Sequence, residues 1–230
     1  MEKLALVTGA SSGLGRAIAQ ALGGAGYKLI LTARDKASFG DFAADLSDLL
    51  SMNRFIGIIK KQVKQLDVLV NVAGIWHGKD EVFAGKNLTD FSEKTVLDTL
   101  MVGTVAPTML VYHLLPLMPK KSHIINISGT FENGAKGWLP YFVSKRAIED
   151  LTVGLAQDIA EKQIQVNGIS PSDMATPAYK KYFPQYFADG IDPNLVAEKI
   201  VELVSGFNPE LSGKIFVMKK SHKPFTAFHY

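Results

Sequence analysis

The chain contains no cysteine. That absence removes disulfides, thiolate metal ligands and thiol nucleophiles together, and it suits a reducing compartment. A strong charge of either sign is also lacking, since 25 basic against 22 acidic residues leave a formal net charge of +3. Lysine pairs such as Lys60-Lys61, Lys120-Lys121, Lys180-Lys181 and Lys219-Lys220 are scattered and form no basic stripe. Neither nucleic acid nor an acidic membrane surface is therefore an expected partner. No stretch approaches the roughly 20 apolar residues that span a bilayer, and the apolar run within residues 1–8 is too short for a signal segment. Internal repeats, low-complexity segments and linkers are missing as well. The expectation is a soluble, cytoplasmic protein whose residues 1–230 form a single domain.

What the chain does have is apolar material in a regular order. Its hydrophobic fraction is 47% and its mean hydropathy +0.11, enough for a sizeable core. Short apolar runs predict strands at 4–8, 28–32, 68–72, 123–128, 165–169 and 214–218, with a weak one at 39–44. Amphipathic stretches at 14–24, 54–65, 90–118, 140–161 and 194–205 predict helices between them. Several strands are apolar throughout, as in a parallel sheet covered on both faces. Strand–helix alternation with right-handed crossovers gives an α/β fold, a Rossmann-like doubly wound parallel sheet flanked by helices. Ligands of such sheets bind beyond the carboxyl ends of the strands, so the residues just after each strand matter most.

Thr8-Gly9-Ala10-Ser11-Ser12-Gly13-Leu14-Gly15 follows the first strand and opens the first helix. Glycines permit a tight turn and close approach of backbone amides to a pyrophosphate, and the helix N-terminus favours the anion. Further along stand Asp45, then Asn71-Val72-Ala73-Gly74, Tyr141 with Lys145 one helical turn later, and the segment from Pro171 to Thr176. In this order and context the chain resembles the short-chain dehydrogenase/reductase family, of the classical type, over nearly its whole length.

The resemblance implies an oxidoreductase that moves a hydride between a nicotinamide dinucleotide and a carbonyl or alcohol substrate. Tyr141 would be the acid/base, with Lys145 lowering its pKa and holding ribose hydroxyls. Cofactor contacts would come from Gly9, Ser11, Ser12, Gly13, Leu14, Gly15, Arg34, Asp45, Leu46, Asn71, Ala73, Gly74, Tyr141, Lys145, Pro171 and Thr176. The second strand ends in Ala33-Arg34 in place of a carboxylate, which favours NADP(H) and leaves NAD(H) possible; Asp35 could instead pair with Arg34. Only ten residues separate Arg34 from Asp45, where related enzymes carry a full helix, so that helix is expected to be lost or much shortened.

Ser128, thirteen positions before Tyr141, is the candidate for binding the substrate oxygen, which gives Ser128, Tyr141 and Lys145 as the catalytic set. Matching the strands directly puts Gly129 at that position and would leave Thr130 or a water to polarise the carbonyl. Leu100 stands where the family has an asparagine, and Val72 replaces a second one. Thr176 reads equally as a carboxamide contact and as an N-cap before Pro177. Residues 171–190, with aromatics at 179, 182, 183 and 186, are expected to form a lid, and Trp76 and His77 to extend the pocket wall. His222 and His229 make no convincing metal site, and the tail carrying them is expected to pack on its own or a neighbouring subunit. A homo-oligomer, dimer or tetramer, is expected through helices 90–118 and 140–161, where Met109, Val111, Leu155 and Ile159 could serve core or interface. The departures at Leu100 and Val72 keep a second reading open, a catalytically weak dinucleotide-binding sensor or scaffold.

Overall fold

The computed structural model describes residues 2–34 and 42–230. The strands are β1 (Leu4–Thr8), β2 (Lys28–Ala33), β3 (Phe42–Ala43), β4 (Val68–Asn71), β5 (His123–Ile127), β6 (Gln165–Pro171), β7 (Ile215–Met218) and β8 (Phe225–Thr226). They form one sheet in the order β3-β2-β1-β4-β5-β6-β7-β8, parallel up to β7, with β8 antiparallel. The chain order reverses between β1 and β4, which places the ligand crevice beyond their carboxyl ends.

Side chains alternate between two cores, as strand geometry requires. Ala5, Val7, Val68, Val70, Ile125 and Ile127 face helices α1 (Gly13–Gly24) and α7 (Pro193–Ser205). Leu6, Leu69, Ile124 and Val166 face α2 (Leu49–Gln62) and α4 (Ala106–Leu114). Each fully buried Leu or Ile here contributes about 1.5–3 kcal/mol relative to exposure. Val111 and Ile159 are buried core members, and Met109 and Leu155, partly buried, pack against the same core.

The predicted elements differ from the observed ones in instructive places. Helix α2 starts at Leu49, earlier than residue 54, because the Asp48 carboxylate caps it by accepting from the Ser51 amide. The helix expected at 90–118 consists of α3 (Glu93–Leu100), a π turn at Met101–Val105, α4 and a final 3-10 turn. By length and composition alone, 93–117 could cross a membrane, which corrects the expectation that no stretch approaches spanning length. In the fold its Val102, Ala106, Leu110, Val111 and Leu114 are buried in the core. At Gly103 a Cβ would lie 2.7 Å from Ser144, so glycine lets the π turn press against α5 (Leu139–Asp158). Of the weak third strand only Phe42–Ala43 is seen; its residues 39–41, Asp35 and the shortened crossover lie outside the described residues. Strand β8, unforeseen, comes from the tail.

Candidate active site

On one side of the crevice the site is built from backbone. Gly9 has φ +66°, and a Cβ there would lie 3.0 Å from Ala73 Cα; on Gly15 it would lie 2.1 Å from the Gly9 carbonyl oxygen. Glycine is thus required by close approach at both positions. Thr8 stitches the two strand ends together, its hydroxyl accepting from the amides of Val72 and Ala73. Ser12 occupies the N-cap of α1 without a side-chain capping bond, so the first amides of the helix face the crevice uncapped by their own N-cap. Ser11 is half-buried and Ser12 exposed, whereas Leu14 and Gly15 are buried beneath the turn.

Asn71 ends β4, its Nδ2 donating to Asn126 Oδ1 (2.8 Å); Asn126 in turn donates to Thr152 (2.9 Å). Among the described residues, Asn71 Oδ1 is buried without a partner. Arg34 is exposed at the end of β2. Asp45 receives Ser47 N–H and O–H (2.9 and 2.6 Å). Burial works to raise its pKa, but the Ser47 bonds and the charges of Arg34 and Lys94 outweigh it and hold the carboxyl below its ordinary value. Leu46 is buried in the core.

The other side is built on α5, whose buried face is unusually polar: Ser144, Lys145, Glu149 and Thr152. Tyr141 and Lys145 fall on one face, one turn apart, with the Lys145 Nζ 5.4 Å from the tyrosine ring centre. A Cβ on Gly74 would lie 3.3 Å from Lys145 Nζ and 3.7 Å from the Tyr141 ring, so Gly74 brings the β4 end against the pair. Lys145 donates to the Ile127 carbonyl (2.8 Å), and burial brings its pKa down to about 8. The Tyr141 pKa is raised, first by burial and then by the negative charge of Asp173. The Lys145 ammonium is aimed at a main-chain carbonyl, and burial dominates the Tyr141 pKa.

Ser128 directly follows β5. It is buried, and its hydroxyl donates to Glu149 Oε1 (2.7 Å). A serine hydroxyl has one proton, and this one is committed to a buried carboxylate. Gly129 and Thr130 follow, half-buried, with the Thr130 amide bonded to the Pro171 carbonyl oxygen (3.1 Å).

Pro171 closes β6, and the loop after it returns to the glycine turn. Thr176 is buried and caps α6 (Pro177–Tyr182), accepting from the Tyr179 amide (3.2 Å), while its methyl would sit 3.3 Å from a Cβ on Gly13. The N-cap role is therefore present, at a position adjoining the dinucleotide turn. The aromatics of 177–190 do not share one face. Tyr179 is buried and hydrogen-bonded to Asp173, which with burial raises its pKa, and Tyr186 is exposed beyond the helix in a 3-10 turn. Phe183 stacks on Trp76 (centroids 6.3 Å, 25°) and touches Trp138 (5.9 Å), which adjoins Tyr141 (6.1 Å). Tyr182 donates to the Lys79 carbonyl (3.0 Å) and lies 5.4 Å from His77. An aromatic wall thus runs from residues 76–77 to Tyr141.

Sequence reasoning passed over Trp138, Phe131, Arg146 and Glu149. Phe131 packs on Tyr141 (6.0 Å). Glu149 was detectable: it repeats the helical interval from Tyr141 to Lys145 once more, and a carboxylate on that buried face needs partners.

Residues 3–186 match the short chain dehydrogenase family. An uncharacterized oxidoreductase of Staphylococcus saprophyticus is 32% identical, the match covering 76% of this chain and 80% of its own. An acetoacetyl-CoA reductase of Acinetobacter is 34% identical over 76% of each chain. Among solved structures, a short chain dehydrogenase of Burkholderia cenocepacia in complex with NADP has a TM-score of 0.81 at 23% identity, covering 94% of this chain and 96% of its own. The chain belongs to the short-chain dehydrogenase family of oxidoreductases.

Proposed function

We propose that this protein is an NADP(H)-preferring carbonyl reductase, reversible as an alcohol dehydrogenase, acting on small or apolar substrates. The observation that carries the reading is the meeting of Tyr141, Lys145 and Gly74 at the carboxyl ends of β4 and β5. The residues present fit a dinucleotide: glycines 9, 13 and 15 shape a cradle that Cβ atoms would fill, and Asn71 Oδ1 is an orphaned acceptor beside it. Ser11, Ser12, Gly13, Leu14 and Gly15 would hold the pyrophosphate, and Arg34 an added ribose phosphate. Asp45, Leu46, Asn71, Ala73 and Gly74 would flank the adenosine side; Lys145, Pro171 and Thr176 would flank the nicotinamide side. The bound cofactor supplies or accepts the hydride.

The Tyr141 phenol, protonated at neutral pH as any tyrosine is, would donate its proton to a carbonyl oxygen in the reductive direction. Lys145, beside it, supplies positive charge to the same end of the site. With the Ser128 proton committed to Glu149, Thr130 or a water would polarise the carbonyl. Trp76, Trp138, Phe131 and Phe183 form an apolar wall that favours apolar substrates, and 171–190 would act as the lid. Exposed Leu97 and Tyr112 on the α3–α4 stretch and Val143 on α5 support a homo-oligomer through these helices.

The test is to titrate NADPH and NADH separately, then screen aldehydes, ketones and quinones for oxidation of the bound cofactor. NADPH should bind about tenfold more tightly, and at least one carbonyl should oxidise it. Tight binding with no turnover across the panel would favour a sensor or scaffold instead.

A further inference from the structure

The tail returns to the catalytic helix through contacts that share one buried carboxylate. Strand β8 pairs with β7, and the chain then turns so that the His229 amide donates to Glu149 Oε2 (2.7 Å). The other oxygen of Glu149 accepts from Ser128, and Arg146 lies 3.6 Å from Oε2. Arg146 Nη2 donates to the Tyr230 carbonyl oxygen (2.7 Å), which also accepts from the Phe131 amide (3.2 Å). The guanidinium lies against the rings of both Phe131 (5.5 Å) and Phe142 (5.3 Å), which meet edge to face. On the far side, Lys219 joins Glu132 (2.9 Å) to the Tyr230 hydroxyl (3.2 Å).

Beyond β8, the tail's contacts reach the loop 128–132 and α5 from Arg146 to Asp150, where the His229 ring also lies 3.3 Å from the Asp150 carboxylate, all within about two and a half turns of Tyr141. His229 takes φ +55° to make them, a conformation unfavourable to a non-glycine residue that persists only where its surroundings impose it. Glu149 would be left with an unmet oxygen, and Arg146 and Phe131 with unmet donors, if this segment were displaced.

We propose that residues 227–230 are a clamp on the substrate side of the site, with Glu149 and Arg146 as positioning residues. The docked segment fixes the loop 129–132 and holds the Phe131 ring against Tyr141. Docking therefore governs how the carbonyl substrate is presented to the tyrosine and leaves cofactor affinity unchanged. This rests on Tyr141 being the proton donor of a carbonyl reductase.

His229→Pro tests it, because proline lacks the donated N–H and cannot adopt positive φ. His229→Gly is the control, since it removes the imidazole, keeps the N–H and favours that φ. For His229→Pro, kcat/KM for a carbonyl should fall about tenfold or more, NADPH affinity should hold, and the Phe131 amide should exchange its hydrogen faster by NMR. His229→Gly should match the parent chain in all three. The proposal is overturned if Phe131 stays as protected in His229→Pro as in the parent. It is overturned equally if NADPH affinity falls in step with kcat/KM, or if His229→Gly loses as much. A parent chain that binds NADPH but reduces no carbonyl sinks the reductase reading and with it the kinetic role of the clamp, whereas unchanged Phe131 exchange sinks the clamp alone.

Discussion

The two halves of the crevice are made differently. On the β1–β4 side, contacts are set by main chain: glycines at van der Waals limits, a threonine stitching two strand ends, and a helix N-terminus. On the β5–α5 side they are set by buried side chains, Ser128–Glu149–Arg146 and Lys145 with their carbonyl partners, and by a returning tail. A backbone cradle recognises what every dinucleotide shares and tolerates little change. A side-chain network can be rewired one residue at a time; here the Ser128 proton goes to the Glu149 carboxylate.

If that contrast holds, the largest loss of cofactor affinity should come from the backbone half. Gly15→Ala would drive a Cβ into the Gly9 carbonyl and should weaken NADPH binding about a hundredfold, read by fluorescence titration. Affinity near the parent value would break the contrast.

Lys145→Met probes the other half through pH. The folded-state pKa near 8 lies below the ordinary 10.5, so the fold carries the full cost of the buried charge below pH 8. Between 8 and 10.5 the unfolded chain holds a proton that the folded chain has released, so stability rises with pH there. Urea unfolding of the parent chain should gain up to about 3 kcal/mol across this window relative to Lys145→Met. Parallel curves would show that the ammonium is solvated and the network is not as drawn.

Smaller effects sharpen the picture. Arg34→Ala should cost about tenfold in NADPH affinity and leave NADH unchanged; an equal loss for both would deny a phosphate role. Ser128→Ala should lower stability by about 1–3 kcal/mol, since it leaves a Glu149 oxygen unmet, while turnover stays within about threefold. A drop of a hundredfold or more would restore Ser128 as the group that binds the reacting oxygen.

The backbone half was legible in the sequence because its requirements are local. The Gly9–Gly15 turn, the strand before it and the helix after it lie within one short stretch. Tyr141 and Lys145 were legible for the same reason, being one helical turn apart. What the sequence left open depends on orientation and on distant partners. Whether Ser128 faced the crevice turned on one step of strand register, and on Glu149, 21 positions away. The raised pKa of Tyr141 required knowing that its hydroxyl is buried and that Asp173 approaches it. The tail's aromatics gave no periodic signal, because β8 is two residues long and the contacts beyond it are single backbone atoms. The π turn at Met101–Val105 was hidden inside a stretch that reads as one continuous helix.

The most direct measurement compares the parent chain with Tyr141→Phe in single-turnover oxidation of bound NADPH by a carbonyl that the parent reduces. Both proteins should bind NADPH alike, since the cradle does not depend on the hydroxyl, while the rate in Tyr141→Phe should fall by about a thousandfold. A phenylalanine variant that turns over at near the parental rate would contradict Tyr141 as the proton donor.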